Sequence, residues 1–142
     1  MRALFIGLGG VGQRHLRNLR TIFPEVEIGA IRHSRQNFEI SDNLKADYSV
    51  DIIKKYRIRT FPTLKDGIEF NPDFSFVANP SSLHAETAKF LMQSKIPIFV
   101  EKPLACNGED LEELIRLQEN LKVPVMVGYQ LRFHPCVKRL KV

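Results

Sequence analysis

The chain opens with Gly7-x-Gly9-x-x-Gly12 directly after the apolar run Ala3, Leu4, Phe5, Ile6 and directly before Gln13 to Leu19, which reads as a helix. The order constrains the fold more than the glycines alone. A buried strand, a turn too tight for a Cβ and a helix whose first N–H groups face outward make a seat for a pyrophosphate. Gly7 permits the sharp turn, Gly9 the close approach of backbone to phosphate, and Gly12 the tight packing of helix on strand. Gly10 and Val11 complete the loop.

The rest of the chain alternates strand and helix. Val26 to Ile31 reads as a second strand after the Phe23-Pro24-Glu25 break, and residues 33 to 50 read as a long loop with little periodicity and room for one short helical turn. Asp51 to Tyr56 suggests a brief helix, Ile58 to Phe61 a strand, and Phe74 to Ala78 a buried strand stopped by Asn79-Pro80. A helix capped by Ser81 or Ser82 runs to about Ser94, with His84, Thr87, Ala88 and Leu91 on one face. Ile96 to Val100 follows as a strand. Asn107 caps the next helix, whose expected buried stripe is Leu111, Leu114, Ile115 and Leu121, and Val123 to Tyr129 is the last strand. The expected fold is α/β, a doubly wound parallel sheet in a single domain. Its expected extent is 1–130, with 131–142 beginning the connection to a C-terminal substrate domain absent from this chain.

At 142 residues the chain can bury a real core but is small for a complete dinucleotide-dependent enzyme. No segment approaches the roughly 18 unbroken apolar residues of a membrane span and Met1-Arg2-Ala3 opens no signal peptide, so a cytoplasmic protein without a membrane partner is expected. Cys106 and Cys136 lie far apart with no histidine at ligand spacing, which gives a metal site no support. The formal charge of +5 is scattered and no nucleic-acid-reading motif accompanies it, so no nucleic acid is expected as partner.

Cofactor choice falls to the end of the second strand, where an acid would hold the adenosine ribose 2′-hydroxyl. Here that place reads Ile31-Arg32-His33-Ser34-Arg35. With no Asp or Glu there, and with Arg32, Ser34 and Arg35 able to bind a 2′-phosphate, NADP is favoured over NAD. Taken alone, the same two arginines are ordinary surface charges. A methyltransferase reading of the glycine loop also exists, and it leaves Glu101-Lys102-Pro103 unexplained.

Three further clusters fall at strand ends, where open α/β sheets bind ligands: Asn79-Pro80 with His84, Glu101-Lys102-Pro103, and Gly128-Tyr129 with Arg132-Phe133. Singly each has a plain structural reading. Together with Gly7 to Leu16, and in this order, they resemble the N-terminal domain of the Gfo/Idh/MocA family, from Met1 to about Pro135. The resemblance implies an oxidoreductase that moves a hydride between a nicotinamide dinucleotide and a sugar, cyclitol or related polyol. It implies Lys102 as the catalytic residue, beside the nicotinamide and the reacting hydroxyl, with a cis Lys102-Pro103 bond. It places Asn79, Pro80 and His84 along the nicotinamide half and gives Glu101 the task of holding Lys102. Family enzymes continue into a substrate domain that also makes the homo-oligomer contact, so this chain alone is expected to be inactive. The rival expectation is a non-catalytic nucleotide-binding or regulatory module of the same fold.

Overall fold

The computed structural model describes residues 1–32, 37–41 and 43–140. The chain runs β1 (Arg2–Ile6), α1 (Gly10–Ile22), β2 (Glu27–Ile31), β3 (Glu39–Ile40), β4 (Ala46–Asp47), α2 (Ile52–Lys55), β5 (Ile58–Phe61) and α3 (Leu64–Glu69). It continues through β6 (Phe74–Val77), a 3-10 turn at Ser81–Leu83, α4 (His84–Gln93), β7 (Ile98–Val100), α5 (Gly108–Leu121) and β8 (Val125–Val127). A second 3-10 turn at Gln130–Phe133 leads into α6 (Pro135–Arg139).

Six strands form one parallel sheet in the order β5-β2-β1-β6-β7-β8. In chain order those strands are 3-2-1-4-5-6, the doubly wound dinucleotide-binding arrangement, and the order reverses between β1 and β6. The central strand shows why its sequence is apolar throughout. Leu4 and Ile6 enter a core with Ile31, Val77, Leu91 and Leu114, while Ala3 and Phe5 enter another with Leu16, Leu19, Val26 and Ile28. Successive strand residues point to opposite faces, so helices on both faces demand an unbroken apolar run. Phe5 is fully buried and stacks on Phe76 at 4.7 Å between centroids; burying such a ring contributes about 1.5–3 kcal/mol.

Several sequence expectations shift. The first helix begins three residues earlier than its apolar pattern, at Gly10, because Gly10 to Gly12 form its first turn. The expected long loop holds a small antiparallel hairpin, β3 with β4, fastened to α1: Gln13 Nε2 donates to the Phe38 carbonyl at 3.1 Å and Arg17 Nη1 to the Ile40 carbonyl at 2.8 Å. Helix α3 was not expected. Thr63 caps it by accepting the N–H of Asp66, a Thr-x-x-Asp pattern visible in the sequence. In α5 the stripe is narrower than expected: Leu114 is buried, but Leu111 and Ile115 remain 40% and 48% exposed. That helix packs chiefly on α4, and the three-residue strands beside it cover only a seam. Among the described residues no helix is long and apolar enough to cross a membrane, and no cluster of side chains could hold a metal ion.

Candidate functional site

The site is built at the reversal point of the sheet. Gly7 leaves the end of β1 with φ +96°, a left-handed conformation that disfavours any side chain, and a Cβ there would lie 2.6 Å from the Ala78 carbonyl oxygen. Its N–H donates to the Ile31 carbonyl at 2.9 Å, while Ala78 N–H donates to the Ile6 carbonyl at 2.8 Å. These bonds bring the ends of β2, β1 and β6 to one level. Gly12 lies against the same turn, and a Cβ on it would meet the Gly7 carbonyl oxygen.

Gly9 is different. A Cβ there would meet nothing within 4 Å, so the space above the loop is open. Gly9 is also the N-cap of α1, with no side-chain cap and no acid in the first turn. The first N–H groups of the helix, at Gly10, Val11 and Gly12, therefore face that space without a capping side chain, together with the positive end of the helix dipole. A cleft of about 380 Å³ lies beside them, lined by Gly7, Leu8, Gly9, Gln13, Arg32, Phe38, Ile52, Ala78, Asn79 and Pro80. A larger cleft, about 610 Å³, lies at the start of β2 and β5, where no strand ends and no glycine loop faces it. The geometry of α1 and the strand ends marks the smaller one as the site.

Of the anticipated residues, Gly7, Gly9, Arg32, Asn79 and Pro80 thus meet in one cleft. Arg32 Nη1 donates to Asn37 Oδ1 at 2.6 Å, and Asn37 Nδ2 donates to Asp51 Oδ2 at 3.2 Å. Partial burial lowers the Arg32 pKa, and the charge of Asp51 opposes that shift. Asp51 was anticipated only as the start of a helix. It caps α2, and its carboxylate is held below the usual range, first by the N–H of Lys54. Ser34 and Arg35 lie outside the described residues.

Asn79 Nδ2 donates to Thr87 Oγ1 at 2.9 Å, while its buried Oδ1 has no donor among the described residues. A buried acceptor left so costs about 1–3 kcal/mol, which marks a place for a donor. His84 stands apart from the cleft lining. Its side chain is buried, with Nδ1 2.7 Å from the Pro103 carbonyl oxygen and Nε2 2.9 Å from the Asn79 carbonyl oxygen. Both ring nitrogens face backbone, so His84 braces the loops after β6 and β7 from within and does not line the cleft.

Glu101 and Lys102 follow β7 and lie outside the lining of that cleft; Lys102 is exposed and its bond to Pro103 is cis. Glu101 Oε2 accepts the Lys102 N–H at 3.3 Å, and Oε1 is 2.7 Å from His15 Nε2. His15, marked in the sequence only as part of the run from Gly7 to Leu16, stacks on Phe76 at 5.4 Å and meets Phe99 edge-on at 4.9 Å. Its position three residues after Gly12 was the available signal. Cys106 and Cys136 are both free and exposed.

These features agree with known proteins. A family model described as an oxidoreductase family with an NAD-binding Rossmann fold matches residues 1–129. UDP-N-acetylglucosamine 3-dehydrogenase of Acidithiobacillus ferrooxidans is 24% identical over 99% of this chain and 41% of its own length. The structure of that protein superimposes with a TM-score of 0.78 over 99% of this chain and 41% of the other, at 22% identity. Myo-inositol 2-dehydrogenase of Thermotoga maritima is 28% identical over 99% of this chain and 40% of its own length. The WlbA dehydrogenase of Chromobacterium violaceum, solved with NADH and UDP-GlcNAcA, gives a TM-score of 0.79 at 20% identity over 99% of this chain and 38% of that one. The chain thus spans about two fifths of the length of these relatives. With the glycine turn, the strand order and the family match all in the same 129 residues, the chain belongs to the Gfo/Idh/MocA oxidoreductase family and carries its NAD-binding Rossmann domain.

Proposed function

We propose that this chain binds NADP in preference to NAD and serves an enzyme that transfers a hydride between that cofactor and a carbon of a sugar, cyclitol or related polyol. The observation that carries the dinucleotide is the open space over Gly9 facing the uncapped start of α1. The N–H groups of Gly10, Val11 and Gly12 donate to the pyrophosphate, and the helix dipole favours its charge. Arg32, with Ser34 and Arg35 beyond the described residues, takes the 2′-phosphate, for which a guanidinium makes charge-assisted hydrogen bonds. Asn79 and Pro80 would border the nicotinamide half, and the buried Asn79 Oδ1, which has no donor among the described residues, would accept from it; their place in the cleft lining supports this.

When bound, the nicotinamide supplies the hydride acceptor or donor. The chain's own contribution at the reacting carbon is Lys102, whose ammonium favours a developing alkoxide and assists movement of the hydroxyl proton. Glu101 holds the Lys102 main chain. The sugar and inositol dehydrogenases among the relatives support the polyol class. A substrate domain after about residue 130, which the greater length of the relatives supports, would complete the pocket and the homo-oligomer contact.

Fluorescence titration of the chain with NADPH and NADH tests the reading. Binding of both, with NADPH the tighter, is expected. Absence of either signal at millimolar ligand, together with binding of S-adenosylmethionine, overturns it.

A further inference from the structure

We infer that His15 is a positioning residue for Lys102, acting through Glu101. The inference rests on the reading of Lys102 as the group at the reacting carbon. A carboxylate offers two oxygens and only accepts, and both oxygens of Glu101 are engaged: Oε1 by His15 Nε2 at 2.7 Å and Oε2 by the Lys102 N–H at 3.3 Å. His15 is the donor in the first contact, so its Nε2 carries a proton. The side chains of the pair are only 20% and 18% exposed, which strengthens a charge-assisted hydrogen bond relative to a fully solvated one.

The surroundings leave the carboxylate little alternative placement. The His15 ring packs against both Phe76 and Phe99, which also touch each other. Gly128 packs against both Glu101 and Phe99, and a Cβ there would lie 3.1 Å from Glu101 Oε1 and 3.1 Å from Phe99 Cζ. Gly128 is fastened to the sheet through its N–H to the Val100 carbonyl at 2.8 Å. The first helix, whose start faces the phosphate site, is thus linked by one side-chain pair to the main chain that carries the lysine. A change at His15 releases one carboxylate oxygen, lets Glu101 rotate, and loosens the N–H bond that fixes Lys102.

Amide hydrogen exchange in the 142-residue chain tests this without ligand. His15→Phe keeps a ring against Phe76 and Phe99 but removes the donor, and His15→Gln keeps an N–H donor at similar reach. Glu101→Ala removes the acceptor itself. Exchange at the Lys102 amide should accelerate about tenfold or more in His15→Phe and Glu101→Ala, and return to within about threefold of the parent in His15→Gln, with Leu4 and Phe5 in β1 unchanged. Unchanged exchange at Lys102 in His15→Phe, failure of glutamine to restore it, or equal acceleration in β1 overturns the inference. A parallel NADPH titration of the parent keeps the two readings apart. Loss of that signal alone removes the dinucleotide reading, whereas the exchange pattern alone decides the role of His15.

Discussion

Gln13 Oε1 accepts the main-chain N–H of Ile40 at 2.6 Å, joining the first helix to a hairpin 27 residues further along the chain. The same side chain donates through Nε2 to the carbonyls of Leu8 and Phe38, both at 3.1 Å, and it is buried. One amide thereby satisfies two carbonyls and one N–H, and it sets Phe38 against the glycine loop as a wall of the cleft. Gln13→Met, similar in size but without donor or acceptor, should lower stability by about 1–3 kcal/mol. Urea unfolding measures this. Dinucleotide affinity should fall with it, because the wall loses its attachment.

The glycines of the loop should respond in opposite ways. At Gly12 a Cβ would collide with the Gly7 carbonyl oxygen, so Gly12→Ala displaces backbone and should cost about 1–3 kcal/mol or more of stability. At Gly9 there is room, so Gly9→Asp should unfold at a denaturant concentration close to the parent's. Its carboxylate would face the phosphates at roughly 4 Å, where like charges near a protein surface repel by about 4 kcal/mol, enough to weaken dinucleotide binding a hundredfold or more. Circular dichroism on denaturation and fluorescence titration separate the two effects.

Much of this was legible in the sequence because the physics was local. An unbroken apolar run before Gly7 specified a strand buried on both faces, and Asn79-Pro80 and Glu101-Lys102-Pro103 fell at strand ends because the alternation of elements left them nowhere else. The hairpin over α1 was not legible, since Glu39–Ile40 and Ala46–Asp47 are two-residue strands whose order comes from Gln13, Arg17 and Lys55, all distant in sequence. The surroundings of His84 were legible only in part, for a related reason. Helical spacing placed it correctly on the face with Thr87, Ala88 and Leu91, but only the folded chain shows that face turned inward, toward the carbonyls of Asn79 and Pro103.

The hairpin should also give stability an acid limb. Glu39 receives Lys55 Nζ at 2.7 and 2.8 Å and the Tyr56 hydroxyl at 3.0 Å. The bond from Lys55 is the main reason its carboxyl stays below the usual range. Because the folded value is the lower one, the unfolded chain binds the proton more readily. The contribution is therefore complete above the ordinary carboxylate value, about 4.3, and is lost as pH falls through the depressed folded value. Lys55→Met should flatten that limb, which urea midpoints measured between pH 7 and pH 3 would show.

On the proposed reading, Arg32 sets the cofactor preference. Asn37 orients its guanidinium at the edge of the cleft and Asp51 steadies the network, so the positive charge stands where the second strand ends. Arg32→Asp replaces a donor to a 2′-phosphate by a carboxylate able to accept from a 2′-hydroxyl. NADPH affinity should fall about tenfold or more and NADH affinity should hold or rise, reversing the order. Equal affinities of the parent chain for the two dinucleotides at moderate salt would return Arg32 to an ordinary surface charge.

Lys102 is exposed and does not line the cleft beside the glycine loop, so placement of a substrate at the lysine is expected to need residues of a substrate domain. Holding two reactants in line can supply about 7 kcal/mol or more of the barrier lowering, and without a pocket that contribution is missing. The 142-residue chain saturated with cofactor should therefore oxidise no polyol, as followed by nicotinamide absorbance. In a longer form that includes a substrate domain, Lys102→Ala should lower turnover by about 10²–10⁴, the usual scale of a lost proton-transfer group, while dinucleotide affinity changes far less, because the proposed pyrophosphate seat is at the start of α1. Steady turnover by the 142-residue chain would show that the site is complete without further residues. Unaltered turnover in the longer alanine variant would remove Lys102 from the chemistry and leave Glu101 and His15 as supports of the strand end alone.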